Sequence, residues 1–218
     1  MLRSYDPGRD VLKLIAVITM TIDHTGAIFY PSLDFLRIIG RIAFPIYCYL
    51  LVLGVESTRS IKNYFIRLVA FAFISQIPFF LALDYEPLSL NIFFTLAAGI
   101  SILVQPTLAL IPIFFSLFID MDYGAYGFVL IACFSLVRKN LRLGVCAIGL
   151  LHILTVFTLQ IYALLAVPLI LLHQCGYLSK PPVIATWPRF PTLRKYVFYA
   201  YYPLHLSLFY LIRVTGIV

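Results

Sequence analysis

The sequence predicts an all-α polytopic membrane protein. It reads as a single domain over residues 1–218, with about nine transmembrane helices around a polar intramembrane cavity. Three observations carry this. Hydrophobic residues make up 62% of the 218 and charged residues only 11%, where soluble domains have about 45–50% and about 25%. The mean hydropathy is +1.00. Apolar runs of the roughly 20 residues needed to cross a bilayer recur along the chain. This balance excludes a cytosolic enzyme, a disordered chain, a coiled coil and a disulfide-stapled secreted module. The net charge of +7 includes no basic run of five or more. Cytoplasmic loops of membrane proteins accumulate Lys and Arg, so the charge points to topology and no nucleic-acid partner is expected.

Spans are expected at 12–30, 38–55, 64–83 and 196–215. The first is a retained span rather than a signal peptide, because no small-residue cleavage site follows it. The stretches 88–119 and 143–174 carry no formal charge and are too long for one helix each. A helix over 88–119 would be about 48 Å long. Each is read as two short spans, broken near Gln105-Pro106 and near Thr158-Gln160. Segments 107–119 and 125–137 are short for a full crossing, and 125–137 has the length of a re-entrant segment.

Loop charge arbitrates the count. With nine spans and a cytoplasmic N-terminus, Arg3, Arg9, Lys13, Arg59, Lys62, Arg67, Arg138, Lys139, Arg142, Lys180, Arg189, Arg194 and Lys195 fall inside, 13 of the 16 basic residues. Reading 88–119 as one span would leave only seven inside, against the positive-inside rule. The expected location is a cell inner (cytoplasmic) membrane, multi-pass, with the N-terminus cytoplasmic. Pro45, Pro78, Pro112, Pro168 and Pro203 lie within spans, where each removes a helical hydrogen bond and kinks its helix. The stretch 176–195, with four prolines, reads as a cytoplasmic loop. Cys48, Cys133, Cys146 and Cys175 show no CxxC spacing and read as buried single thiols.

Ionisable groups inside a bilayer are costly and invite a functional reading. Asp23-His24 lies in the outward half of the first span, within Thr19-Met-Thr-Ile-Asp-His-Thr-Gly26. Neighbours on a helix point about 100° apart, so Asp23 does not orient His24 directly. Small residues on the Asp23 face let a second helix approach. His205 shares a helix face with Tyr201 and Tyr202. His24 and His205 sit at similar depths on the first and last spans, so both are expected to open into one cavity. Arg37 and Arg41, one turn apart at the outer start of the second span, break the positive-inside pattern; they snorkel to headgroups or bind a carboxylate or phosphate. Asn91 opens the fourth span as a cap or a site residue. Asp122 lies in an outer turn, Asp120-Met-Asp-Tyr-Gly124, and is solvated or part of the site. His152 and His173 read as structural, and no His/Cys/Glu spacing fits a metal site.

Six motifs occur in order: Ile22-Asp-His-Thr-Gly26, Ile39-Gly-Arg-Ile-Ala-Phe-Pro45, Ser75-Gln-Ile-Pro78, Asn91-Ile-Phe-Phe-Thr-Leu96, Asp122-Tyr-Gly124 with Gly127, and Tyr202-Pro-Leu-His-Leu206. Together they resemble the TraX family, small polytopic membrane proteins named for the protein that acetylates the N-terminus of F-type pilin. The resemblance implies a membrane-embedded acyltransferase with acetyl-CoA as donor and no metal. Its acceptor would be an amine or hydroxyl at the outer side, on a pilin, an envelope glycan or a lipid.

Carried over, the family's Asp-His falls on Asp23 and His24, its Gly-Arg on Gly40 and Arg41, its Asn on Asn91 and its C-terminal His on His205. His24 is then the expected base, supported by Asp23 and His205. Arg41, Asn91, Tyr201 and Tyr202 are candidate donors to an oxyanion, with Arg37 and Asp122 as further substrate contacts. The inner basic groups Arg138, Lys139, Arg142, Arg194 and Lys195 are expected to hold the phosphates of the acyl-CoA. The rival reading is a secondary transporter or proton-coupled channel, with Asp23, His24 and His205 as the relay; the lack of an internal repeat argues against it.

Overall fold

A computed structural model describes residues 6–86, 88–178 and 191–216, with the side chains of 108 and 191–195 outside the description. Most of the loop expected at 176–195 therefore lies outside the described residues. Those described form helices without a β-strand, apart from an isolated bridge between Leu90 and Met121. The architecture is that of a membrane protein. Helix α1 runs Pro7–Phe29, and Asp34–Ser57 is divided into α2 (Asp34–Gly40) and α3 (Ala43–Ser57). Helix α4 runs Ile61–Leu83. These three segments are long and apolar enough to cross a bilayer.

The breaks follow from local chemistry. Pro45 has no N–H to give the Arg41 carbonyl, and the chain turns at Arg41-Ile42 between α2 and α3. Ser60 caps α4 by accepting from the Asn63 N–H. Helix α5 (Ile92–Val104) stops at Gln105, before Pro106, and a 3-10 turn leads into the six-residue α6 (Leu110–Phe115). Helix α7 is Gly124–Lys139 and α8 is Leu141–Leu154, capped by Asn140. Thr158 then caps a 3-10 stretch, Leu159–Leu165, which continues as α9 (Ala166–Gln174). Helix α10 is Pro191–Thr215. Both expected breaks in the long uncharged stretches are therefore present.

Each of those stretches leaves and returns to one end of the molecule. Leu90 N–H donates to the Asp120 carbonyl and Asp122 N–H to the Leu90 carbonyl, both at 2.8 Å. At the opposite end Arg138 Nη1 donates to Gln174 Oε1 at 2.7 Å and its guanidinium pairs with Glu56 at 3.0 Å. A helix of 13 residues such as α5 rises only about 20 Å, short of the roughly 30 Å hydrocarbon core.

Helix α3 forms the centre of the core. Phe44, Ile46, Cys48, Tyr49, Leu51, Val52 and Leu53 are all buried against α1, α5, α7 and α9. Helix α10 packs on α1 and α4, and α8 on α7. Phe73 and Ile77 of α4 and Leu150 and Ile153 of α8 point outward, as lipid-facing residues do. Two sequence expectations need correction. Of the five span prolines, only Pro78 and Pro203 lie inside helices. Pro45, Pro112 and Pro168 stand third in α3, α6 and α9, where an N–H has no partner within its helix. Cys48 and Cys133 are buried, but Cys146, on the outward side of α8, and Cys175, in the turn after α9, are exposed.

His152 is structural, as expected. It is buried, bonds the Ile148 carbonyl and meets the Tyr126 hydroxyl at 3.1 Å. His173 joins Asp6 and Tyr49 at the end of the molecule that holds Arg138.

Candidate functional site

Two neighbours on α1 organise the site by facing different helices. Asp23 faces α2. Its Oδ2 accepts from Arg37 Nη1 and its Oδ1 from Arg41 Nη2, each at 2.6 Å. Arg37 Nη1 also donates to the Asp23 carbonyl at 3.1 Å, and Arg41 Nε to the Arg37 carbonyl at 3.2 Å. The carboxylate thus neutralises one of two cations that would be expensive alone in a bilayer. The approach depends on two glycines. A Cβ at Gly26 would meet Leu36 Cβ at 2.7 Å, and one at Gly40 would overlap Asp23 itself. Of the two readings of the arginine pair, carboxylate binding is the one present, and the carboxylate is the chain's own.

His24 faces α10. Its Nδ1 lies 2.7 Å from His205 Nε2, and the rings stack with centroids 5.0 Å apart and 6° between planes. His205 Nδ1 is 2.8 Å from the Tyr201 carbonyl. A carbonyl only accepts, so Nδ1 of His205 carries the proton and its Nε2 presents a lone pair. That lone pair accepts from His24 Nδ1–H. The Nε2 of His24 is then left with a lone pair of its own. Tyr201 stacks on His205 at 5.0 Å, and its hydroxyl is 2.7 Å from Thr21 Oγ1.

His24 lines a cavity of about 820 Å³. At one end stand Asp23, Arg37, Arg41, Tyr85, Asp122 and Tyr123. Its middle is mainly apolar, with Met20, Phe44, Leu50, Leu51, Leu68 and Leu96. Its far end is lined by Arg9, Lys13, Ser57, Thr58, Tyr64 and Arg67. His205 is buried behind His24 and is not among the lining residues. This corrects the expectation that both histidines open into the cavity: the proximity is there, but only His24 faces the space.

Asp122 lies in a turn held by its own N–H and by Thr95 Oγ1, which donates to the Asp122 carbonyl at 2.6 Å. Burial pushes its carboxyl up to about 7, with Arg41 pulling the other way. Tyr123, at φ 64°, stacks on Phe44 at 3.7 Å and receives the Arg41 guanidinium over its ring at 5.8 Å.

Asn91 does not reach the cavity. Its Oδ1 accepts from the Phe93 N–H, and its Nδ2 donates to the Ala72 carbonyl and to Gln76 Oε1, both at 2.7 Å. It caps α5 and ties α5 to α4, with Gln76 donating onward to the Ser89 carbonyl. Tyr202 is buried and lines the cavity. Arg138 is paired with Glu56 and Gln174 away from the cavity lining, and Lys139 and Arg142 are exposed. The side chains of Arg194 and Lys195 lie outside the described residues.

The cations that do line the far end, Arg9, Lys13 and Arg67, enter the sequence reading only as members of the inner charge count. The signal for Lys13 and Arg67 is that both fall inside expected spans, at 12–30 and 64–83. Arg9 Nη1 donates to Ser57 Oγ at 2.8 Å, while Arg67 Nε is buried without a hydrogen-bond partner among the described residues.

Comparisons with known proteins agree with this layout in extent. The family described as TraX protein matches residues 8–213. The probable fimbrial assembly protein FimC, serogroup H1, of Dichelobacter nodosus is 27% identical over 95% of this chain and 96% of its own length. An uncharacterised protein of Rickettsia prowazekii (strain Madrid E) is 58% identical, over 19% of this chain and 16% of its own. No solved structure matches. The match spans both polar ends of the cavity and both histidine helices, and the chain belongs to the TraX family.

Proposed function

We propose that this chain is a membrane-embedded acyltransferase that moves an acetyl group from cytoplasmic acetyl-CoA to an amine or hydroxyl at the outer side. The observation that carries the reading is the 2.7 Å contact between His24 Nδ1 and His205 Nε2. It leaves a basic nitrogen on a residue lining a cavity whose two ends are polar. His24 Nε2 takes the proton from the acceptor N–H or O–H as that atom attacks the thioester carbonyl. The new C–N or C–O bond forms, the C–S bond breaks, and the imidazolium returns the proton to the departing thiolate. His205 holds the tautomer that makes this possible, in the manner of the third member of a triad.

The donor fits the other end of the cavity. Arg67 Nε is a buried donor without a partner among the described residues, and it lines the cavity with Arg9 and Lys13. Such a group suits the phosphates of a nucleotide. From Lys13 to His24 the helix rises about 16 Å, and from Arg9 about 22 Å. That span is of the order of an extended phosphopantetheine arm, which would put the thioester at His24 when the nucleotide rests on these cations.

The topology follows the same axis, with nine membrane segments, a cytoplasmic N-terminus and an inner-membrane location. Asp6, Arg9, Ser57, Glu56, Arg138 and Gln174 meet at one end, and Asp84, Leu90, Asp120 and Arg213 lie toward the other. The relative named for fimbrial assembly, with the family, favours a pilin N-terminus as acceptor; an envelope glycan or lipid headgroup offers the same nucleophiles.

The test uses purified protein in lipid nanodiscs, radiolabelled acetyl-CoA and a synthetic peptide with a free N-terminus, without an ion gradient. Label should move to the peptide, and His24→Ala should lower kcat by at least about 10²-fold. Envelope mass spectrometry with and without the protein identifies the natural acceptor. If wild-type protein neither consumes acetyl-CoA in vitro nor changes the acetylation of any envelope component, the reading is wrong, and a gradient-dependent flux would replace it by transport.

A further inference from the structure

We propose that the Tyr202 hydroxyl is the donor that stabilises the oxyanion at the thioester carbonyl. This assignment rests on the acyl-transfer reading above. Tyr202 is 3% exposed and lines the cavity that His24 lines. Its Oη is buried with no hydrogen-bond partner among the described residues. A buried hydroxyl left unpaired weakens a fold, and a native chain that keeps one needs a reason for it.

The ring is held on several sides: edge-on to Phe93 at 5.4 Å, at 62° to His205 at 5.7 Å, and tilted to His24 at 6.1 Å. The charged and polar groups that act on its hydroxyl are Asp122, Tyr85, Tyr123 and Tyr47, all of them cavity residues. The ring is therefore held in position, and its hydroxyl is shielded from water and left without a partner among the described residues. These are the properties of an effective oxyanion donor. Tyr201, its neighbour, is already engaged with Thr21. As the nucleophile adds, the carbonyl π pair moves to oxygen, Tyr202 Oη–H donates to it, and collapse re-forms the carbonyl as the C–S bond breaks. The tyrosine keeps its proton throughout.

The test is Tyr202→Phe in the same nanodisc assay, with Tyr201→Phe beside it. Tyr202→Phe should lower kcat by about 10²-fold while KM for acetyl-CoA moves by less than about threefold. Its Tm should hold or rise, because the variant removes an unpaired buried hydroxyl. Tyr201→Phe should do the reverse, lowering Tm through the lost Thr21 contact with a smaller effect on kcat. Retention of kcat within about threefold in Tyr202→Phe overturns the assignment, and so does a joint loss of kcat and Tm. Failure of this proposal alone shows as an active Tyr202→Phe beside an inactive His24→Ala; failure of acyl transfer shows as an inactive wild type.

Discussion

Gly40→Ala is a one-carbon change that should damage the site from behind. The added Cβ would overlap Oδ1, Cβ and Cγ of Asp23 well inside 3.0 Å, a separation real Cβ atoms essentially never cross. Moving the carboxylate to another rotamer does not relieve this, because Asp23 Cβ is itself among the overlapped atoms and is fixed by the α1 backbone. Restoring ordinary contact at 3.4 Å moves α2 from α1 by about 1 Å or more. The two 2.6 Å bonds to Arg37 and Arg41 would then stretch beyond hydrogen-bond range. Overpacking of this kind costs about 1–3 kcal/mol, and the weakened buried bridges bring the total to about 3 kcal/mol or more. For a chain of this size that is a fall in Tm of about 6–12 °C.

The rate should fall as well, by about 10²-fold, because His24 is the next residue and a shift of about 1 Å is enough to misplace a catalytic group. Gly149→Ala is the control. It lies within α8, an added Cβ there meets nothing within 4 Å, and it should stabilise by about 0.4–1 kcal/mol. Thermal unfolding and acetyl transfer measured on both variants decide the matter. A Gly40→Ala protein that melts with wild type and keeps its rate would refute the steric coupling of α2 to Asp23.

Two other outcomes are expected. His205→Ala removes the acceptor that fixes the His24 tautomer, so kcat should fall by about 10²-fold or more, and the His24→Ala/His205→Ala double variant should be little worse than His24→Ala alone in the same assay; additive losses would mean that the rings act separately. Asp122 keeps its proton to about pH 7 when folded, against an ordinary value of 3.8. The folded chain then binds a proton that the unfolded chain has lost, so wild-type Tm should fall as pH rises from about 4 to about 7, no more steeply than one proton allows, about 1.4 kcal/mol per pH unit. Asp122→Asn should flatten that fall, and parallel wild-type and variant profiles would remove this carboxyl from the account.

Much of this arrangement is legible in the sequence wherever the bilayer makes a residue type expensive. Asp23, His24, Arg37, Arg41 and His205 stand out because a charge or imidazole in an apolar run has few bland uses. Depth counting along two parallel helices is enough to bring the two rings together. Which of them faces the cavity is not legible, since that depends on the rotation of α10 about its axis. Asn91 has the same residue type and depth in either of its expected roles, and only the packing of α4 against α5 shows its amide fully used. Arg9, Lys13 and Arg67 are hidden for a different reason. The positive-inside count treats basic residues near a span end as interchangeable, so it cannot separate cations that turn into a cavity from Arg138, which turns to Glu56.

Asp23 and His24 are adjacent in sequence but, as the 100° step between helix neighbours requires, the fold sends them to different partners. A carboxylate behind the base is a common way to orient an imidazole. Here the orienting group is a second imidazole, itself oriented by the Tyr201 carbonyl, so the chain of donors from His24 to the backbone contains no formal charge. The carboxylate is used one helix face away, where it holds two arginines at the Asp122 end of the cavity. With Asp23 ionised that trio carries a net charge of +1, and it lies on the side from which an acceptor would approach. The uncharged imidazole pair and the fixed positive charge are thereby kept on separate helix pairs, α1–α10 and α1–α2, with α1 common to both. The step of about 100° between successive residues of one helix is what makes the separation possible.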